Sequence, residues 1–152
     1  YHGDCAATIP CGKVSGEAMH LIEVTRQSFY EGIKFARPGN RISDISHAVQ
    51  TYAEQNGCSV VRDYVGHGVG SKLHEAPEVP NFGPPGRGAR LFPGMTFAVE
   101  PMLNAGDYKI RRLSDGWTVV TLDGSLSAHF ENTILITSGK PEILTVCPED
   151  TE

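Results

Sequence analysis

Apolar positions return at helical spacing early in the chain and at strand spacing late in it. Ala18, Leu21, Ile22, Thr25, Phe29 and Ile33 recur every three to four residues, the period of one helix face. Ser15 is placed to cap this helix and Glu17 to sit in its first turn, where an acid meets the positive end of the helix dipole. Pro38-Gly39-Asn40 is expected to stop it. A second helix is predicted from near Ser43 to Asn56 on the stripe Ile45, Val49, Tyr52 and Ala53, with Gly57 closing it.

The rest reads as strands. Residues 1–11 alternate in character and predict a strand ending near Pro10. Residues 59–65 are β-branched and aromatic, hence a strand; residues 66–70 follow as a tight glycine-rich turn. The Pro- and Gly-dense stretch 76–94 predicts a long ordered loop. Strands are then predicted over 95–100, 108–113, 117–122, 128–137 and 142–146, with hairpin signals at Asp115-Gly116 and Asp123-Gly124. A strand, two helices and a mostly antiparallel sheet make an α+β fold. No repeat or boundary divides it, so residues 1–152 are expected to act as a single catalytic domain.

Composition narrows the function classes. With 39% hydrophobic and 20% charged residues, the chain has ordinary globular content. No stretch approaches the roughly 20 apolar residues of a membrane span, and no secretory signal opens the chain. A net charge of -5 disfavours nucleic acid as a specific partner. Cys5, Cys11, Cys58 and Cys147 form no CxxC pair and read as free thiols of a cytoplasmic protein. The chain opens on Tyr1-His2-Gly3-Asp4 without an initiator methionine. An N-terminal portion is therefore expected to be missing from it.

Three residues break the local pattern. Glu100 ends the apolar run Met95-Thr96-Phe97-Ala98-Val99, Glu131 sits inside the apolar segment 128–136, and His67 lies between glycines. A buried carboxylate is costly without a partner, and a divalent ion such as Mn, Fe, Co or Zn suits carboxylate and imidazole ligands. Each residue has a plainer reading. Glu100 fits a half-exposed strand end, His67 a hydrogen-bonded turn residue, and strand alternation could turn Glu131 to solvent. Asp4 alone is common turn chemistry.

The wording around these residues adds more. Gly66-His67-Gly68-Val69-Gly70 followed by His74-Glu75-Ala76-Pro77 resembles a conserved segment of the pita-bread metallopeptidases. The run from Pro93 to Met102, ending Val99-Glu100-Pro101-Met102, resembles their second ligand segment. Its ending is closer to type I methionine aminopeptidases than to prolidases or aminopeptidase P. Asp115-Gly116-Trp117-Thr118 and Ser127-Ala128-His129-Phe130-Glu131-Asn132-Thr133 are similar to the C-terminal block of that subfamily. Tyr1-His2-Gly3-Asp4 resembles its second aspartate segment.

The resemblance implies a pita-bread fold, of which this chain is the C-terminal portion, and removal of N-terminal methionine from nascent polypeptides. It implies two divalent metal ions (Co, Mn, Fe, Zn or Ni), with Asp4, His67, Glu100 and Glu131 as ligands. Glu100 would also accept the proton of an attacking water, and His74 would contact the scissile carbonyl or amide. Leu73, where a Phe is common, and Trp117 would line the substrate pocket; Trp117 reads equally well as a core residue. His129 shares a strand face with Glu131 and is assigned no role. Ribosome association and a monomeric full-length protein are further expectations. The family pattern has a further aspartate ligand upstream of Gly3-Asp4, so residues 1–152 alone are expected to have impaired activity. The competing readings are a prolidase-like exopeptidase and a non-catalytic peptide-binding module of the same fold.

Overall fold

The computed structural model describes residues 1–146. The first helix, α1 (Gly16–Ile33), is capped by Ser15, whose Oγ accepts the Ala18 N–H at 3.1 Å. It buries Leu21, Val24, Thr25, Phe29 and Ile33 and ends at Ile33, ahead of the predicted stop. The last turn tightens instead: the N–H groups of Phe35 and Ala36 bond to the carbonyls of Gly32 and Ile33. In α2 (Ile42–Gln55) the Asp44 carboxylate accepts the Arg41 N–H at 2.7 Å, which fixes the first turn. Ile42, Ile45, Val49 and Ala53 form its buried stripe.

The sheet is built around one long strand, β9 (Ser127–Leu135), with the other strands laid antiparallel beside it. In chain order these are β1 (Cys5–Ala7), β2 (Ser59–Val60), β3 (Gly66–Gly68), β4 (Glu75–Val79), β5 (Thr96–Val99), β6 (Met102–Asn104) and, after β9, β10 (Glu142–Ile143). One edge of β9 carries β5 and then β6; the other carries β1 and β10. β3 and β4 extend the sheet beyond β5, and β2 pairs with β6. β7 (Ile110–Arg112) and β8 (Val119–Thr121) form a separate hairpin.

Four expectations need correction. Residues 66–70 are not simply a turn, because Gly66–Gly68 is an inner strand between β4 and β5. Part of the expected 76–94 loop is β4, which is held by pairing with β3 rather than by its own propensity. Only Ser59–Val60 of the expected 59–65 strand pairs; from Arg62 the chain leaves the sheet, with the guanidinium 4.0 Å over the Tyr108 ring. Asp123-Gly124 joins β8 to β9 without pairing them, since β8 pairs with β7. Asp115-Gly116 does close a hairpin, with Asp115 accepting the N–H groups of Trp117 and Thr118 at 2.9 Å.

Side chains alternate across the sheet. Phe97, Val99, Phe130, Ile134 and Ile136 face the helices and pack with Phe29, Ile45 and Val49. Phe29 meets the Phe130 ring edge-on at a centroid distance of 5.3 Å. This apolar layer holds one sheet face, so the residues between these positions are presented on the other. Cys5, Cys11 and Cys58 are free thiols; Cys147 lies outside the described residues. Among the described residues, no helix is long and apolar enough to cross a membrane.

Candidate metal centre

The open sheet face is where the acids gather, and the strand register explains how. Val99 faces Asn132 in the β5–β9 pair and Met102 faces His129 in the β6–β9 pair. The two registers are continuous, so Glu100, between β5 and β6, stands opposite Glu131. His129 and Thr133 lie two residues either side of Glu131 on the same face. Asp4 comes in from the other edge of β9: its N–H donates to Thr133 Oγ1 at 2.9 Å, and that hydroxyl donates back to the Asp4 carbonyl at 2.9 Å. Thr133 therefore clips Asp4 beside the glutamates, a role that the sequence reading did not give it.

His67 enters from β3 between two glycines that the geometry requires. A Cβ on Gly66 would lie 2.2 Å from the Ala98 carbonyl oxygen, and one on Gly68 would lie 2.4 Å from that of Ala76. Only bare backbone fits between β4 and β5 here, and His67 is the one side chain of the strand that projects. Its Nδ1 is 3.0 Å from the Gly68 carbonyl oxygen. A carbonyl only accepts, so Nδ1 donates to it and Nε2 is the ring nitrogen that faces the acids.

Distances within the cluster are those of atoms sharing an ion. His67 Nε2 is 3.5 Å from Glu100 Oε1 and 3.7 Å from Asp4 Oδ2. His129 Nε2 is 3.8 Å from Glu131 Oε2 and 3.9 Å from Glu100 Oε2. These gaps are too long for hydrogen bonds. Two ligands bound at about 2.1 Å to one tetrahedral ion stand roughly 3.4 Å apart. The donor atoms of His67, Glu100 and Glu131 all lie within 4.8 Å of one another, as do those of Asp4, His67 and His74.

The electrostatics point the same way. Glu131 Oε1 and His129 Nε2 are buried with no hydrogen-bond partner, and among the described residues no Lys or Arg pairs with Glu100 or Glu131. Burial, then the charges of Glu131 and Asp4, push the Glu100 carboxyl up to about 8. Burial and the nearby Asp4 charge push Glu131 up to about 7. Burial holds the His129 imidazole below its ordinary value despite the Asp4 charge. A divalent ion supplies the charge and coordination that this donor set lacks, so the residues fit a metal.

The remaining sequence candidates are placed less uniformly. His74 sits in an exposed segment, its ring 4.1 Å centroid to centroid from His67, and Leu73 precedes it, partly exposed. Glu131 is only 5% exposed, so alternation does not turn it to solvent. Trp117 is 87% exposed at the β7–β8 connection, which excludes a core role. It is also absent from the lining of the apolar cleft of about 320 Å³ beside the cluster, bounded by Val61, Tyr64, Met102, Ile110, Val119 and His129. His129 is the residue that sequence reasoning left without a role. The available signal was its place two residues before Glu131, which puts both side chains on one face.

A paired-carboxylate and imidazole cluster of this kind, on the sheet face away from the helices, is suited to hold a divalent ion. The profile of metallopeptidase family M24 matches residues 1–138, and the chain belongs to that family. Its relatives include a methionine aminopeptidase of Clostridium perfringens, 57% identical over 146 residues, and methionine aminopeptidase 1 of Bacillus subtilis, 56% identical over 145. These alignments cover 96% and 95% of this chain but 59% and 58% of the relatives. The chain thus spans somewhat over half the length of the curated relatives it matches. The crystal structure of methionine aminopeptidase from Thermotoga maritima superposes with a TM-score of 0.92 at 50% identity, covering 94% of this chain and 57% of that one. A prolidase from Pyrococcus horikoshii shares the fold at TM-score 0.72 and 21% identity, over 95% of this chain and 36% of its own. The architecture is the pita-bread fold. Membership in this family of metallopeptidases implies divalent-metal binding.

Proposed function

We propose that this chain is the metal-bearing part of a methionyl aminopeptidase that removes the N-terminal methionine of nascent polypeptides. The observation that carries the reading is the pair Glu100 and Glu131, facing each other beside His67 with no Lys or Arg paired to either among the described residues. In this reading Asp4, His67, Glu100 and Glu131 hold two divalent ions, with Co, Mn, Fe, Zn or Ni as candidates. A bound ion supplies Lewis acidity and lowers the pKa of water toward neutrality.

The chain's own residues do the rest. In this reading Glu100 takes a proton from water and returns it to the leaving amine. His74 is exposed and adjacent to His67, within reach of a peptide carbonyl arriving at the cluster. The cleft between Tyr64, Met102 and Val119 offers an apolar wall to a peptide side chain. Leu73 and Trp117 remain proposed substrate contacts, made only when peptide is bound.

The methionine aminopeptidases among its relatives support methionine over proline as the selected residue; the prolidase likeness supports the fold alone. The test is turnover of Met-Gly-type peptides by the whole protein with added Mn or Co, beside Xaa-Pro dipeptides and a chelated control. Release of methionine that stops with chelator is expected. Cleavage confined to Xaa-Pro substrates would overturn the specificity, and metal binding without turnover of either would favour a peptide-binding module. Residues 1–152 alone are expected to be a poor catalyst, because the family pattern places a further aspartate ligand upstream of Gly3-Asp4.

A further inference from the structure

The apolar cleft has walls of two origins. Val61 and Tyr64 come from the segment that leaves β2, whereas Ile110 and Val119 come from the β7–β8 hairpin. Among the described residues, that hairpin pairs with no strand of the main sheet. Its base is tied down, because Ser59 Oγ donates to the Gly106 carbonyl at 2.6 Å and Asn104 Nδ2 to that of Asp107 at 2.8 Å. The next residue, Tyr108, is held by a different contact. The Arg62 guanidinium lies 4.0 Å from the centroid of the Tyr108 ring and 5.4 Å from that of Phe82. Phe82 packs against the buried cluster that includes Leu21, Val60 and Leu103. One ring is therefore fixed in the body of the domain and the other leads into the hairpin, with a cation attracted to both.

We propose that Arg62 is a positioning residue that sets the width of this cleft, and with it the preference for an unbranched apolar first residue, by clamping the hairpin through Tyr108. Arg62 stands two residues from Tyr64 on one wall, and Tyr108 two residues from Ile110 on the other. The stack thus fixes the spacing between the walls. Arg62 is exposed and is not among the residues that line the cleft, so it acts through these neighbours. A slot of fixed width suits the slender thioether chain of methionine and disfavours a branched side chain. The inference rests on the methionyl aminopeptidase reading and adds to it the contact that holds the side-chain pocket in shape.

The test is steady-state kinetics of the whole protein, loaded with Mn, on peptides beginning with Met or Leu. Wild type is compared with Arg62→Ala, Tyr108→Ala, the double variant and Tyr108→Phe. A cation–π contact at an exposed site is worth about two- to fivefold. Arg62→Ala should raise KM for the Met-peptide by roughly that factor with kcat unchanged, and should narrow the Met-to-Leu ratio in kcat/KM. Tyr108→Ala should do the same, whereas Tyr108→Phe, which keeps the ring face, should match wild type. The double variant should be no worse than either single one, because both remove the same contact. Mn affinity by calorimetry should match wild type in every variant, which also reports that each is folded. An unchanged KM, single effects that multiply in the double variant, or a loss of kcat and Mn affinity would each overturn the clamp, while methionine release by wild type keeps the underlying reading. Wild type that binds Mn but releases no methionine would overturn both.

Discussion

Glu100 and Glu131 face each other across the β5–β6 and β9 strands, in a register shared by the pairs Val99–Asn132 and Met102–His129. Like charges placed directly opposite on adjacent strands repel, and burial adds to the cost. A sheet that fixes two carboxylates this way favours a cation beside them.

The first prediction concerns pH. Both carboxyls are raised above the ordinary 4.5, to about 8 for Glu100 and about 7 for Glu131. The folded form then holds more protons than the unfolded chain, so metal-free stability is greatest at low pH and falls as pH rises from about 4.5 to 8. Thermal melts in EDTA at pH 5 and pH 8 should show this decline in wild type and a shallower one in the Glu100→Gln/Glu131→Gln variant. Equal slopes for the two proteins would contradict it.

Removing one charge should separate folding from metal binding. Glu131→Gln is expected to raise the melting temperature in EDTA at pH 8 by about 3 °C, which is roughly 1 kcal/mol in a domain of this size. The rise on adding Mn should shrink in the same variant. A fall in EDTA would mean that Glu131 has a stabilising partner the structure does not show.

Gly66 is set by space. An added methyl carbon would sit 2.2 Å from the Ala98 carbonyl oxygen and 3.1 Å from that of Val79, wedging β3 from both neighbours. Gly66→Ala should cost about 3 kcal/mol in urea unfolding and weaken metal binding by displacing His67.

The helix-facing layer supports the site from behind. Phe97 is 0% exposed and packs in the helix-facing layer, on the face of the sheet opposite Glu100. Phe97→Ala should destabilise by about 3–5 kcal/mol, read by the same unfolding assay.

Trp117 offers the converse case. With 87% of its surface exposed, Trp117→Ala should change stability by no more than about 0.5 kcal/mol. A raised KM for Met-peptides in that variant would then report a substrate contact; an unchanged KM would remove Trp117 from the pocket.

The sequence by itself determined the two helices and the long strand, because their periods and caps are local. Ser15, the Ile45–Val49–Ala53 stripe and the apolar alternation around Ile134 carry that information within a few residues of chain. It also marked His67, Glu100 and Glu131 as exceptions to their surroundings, and the motifs around them supplied the family. Only the tertiary structure decided that β3 and β4 are strands. Their glycines and prolines have poor strand propensity, and they are held by neighbours distant in sequence. The same holds for the site. Asp4 and Thr133 meet across 129 residues, and His129 gains its place only once Met102 fixes the register of β6. Long-range pairing, which no local pattern encodes, turned a handful of unusual residues into a single cluster of donors.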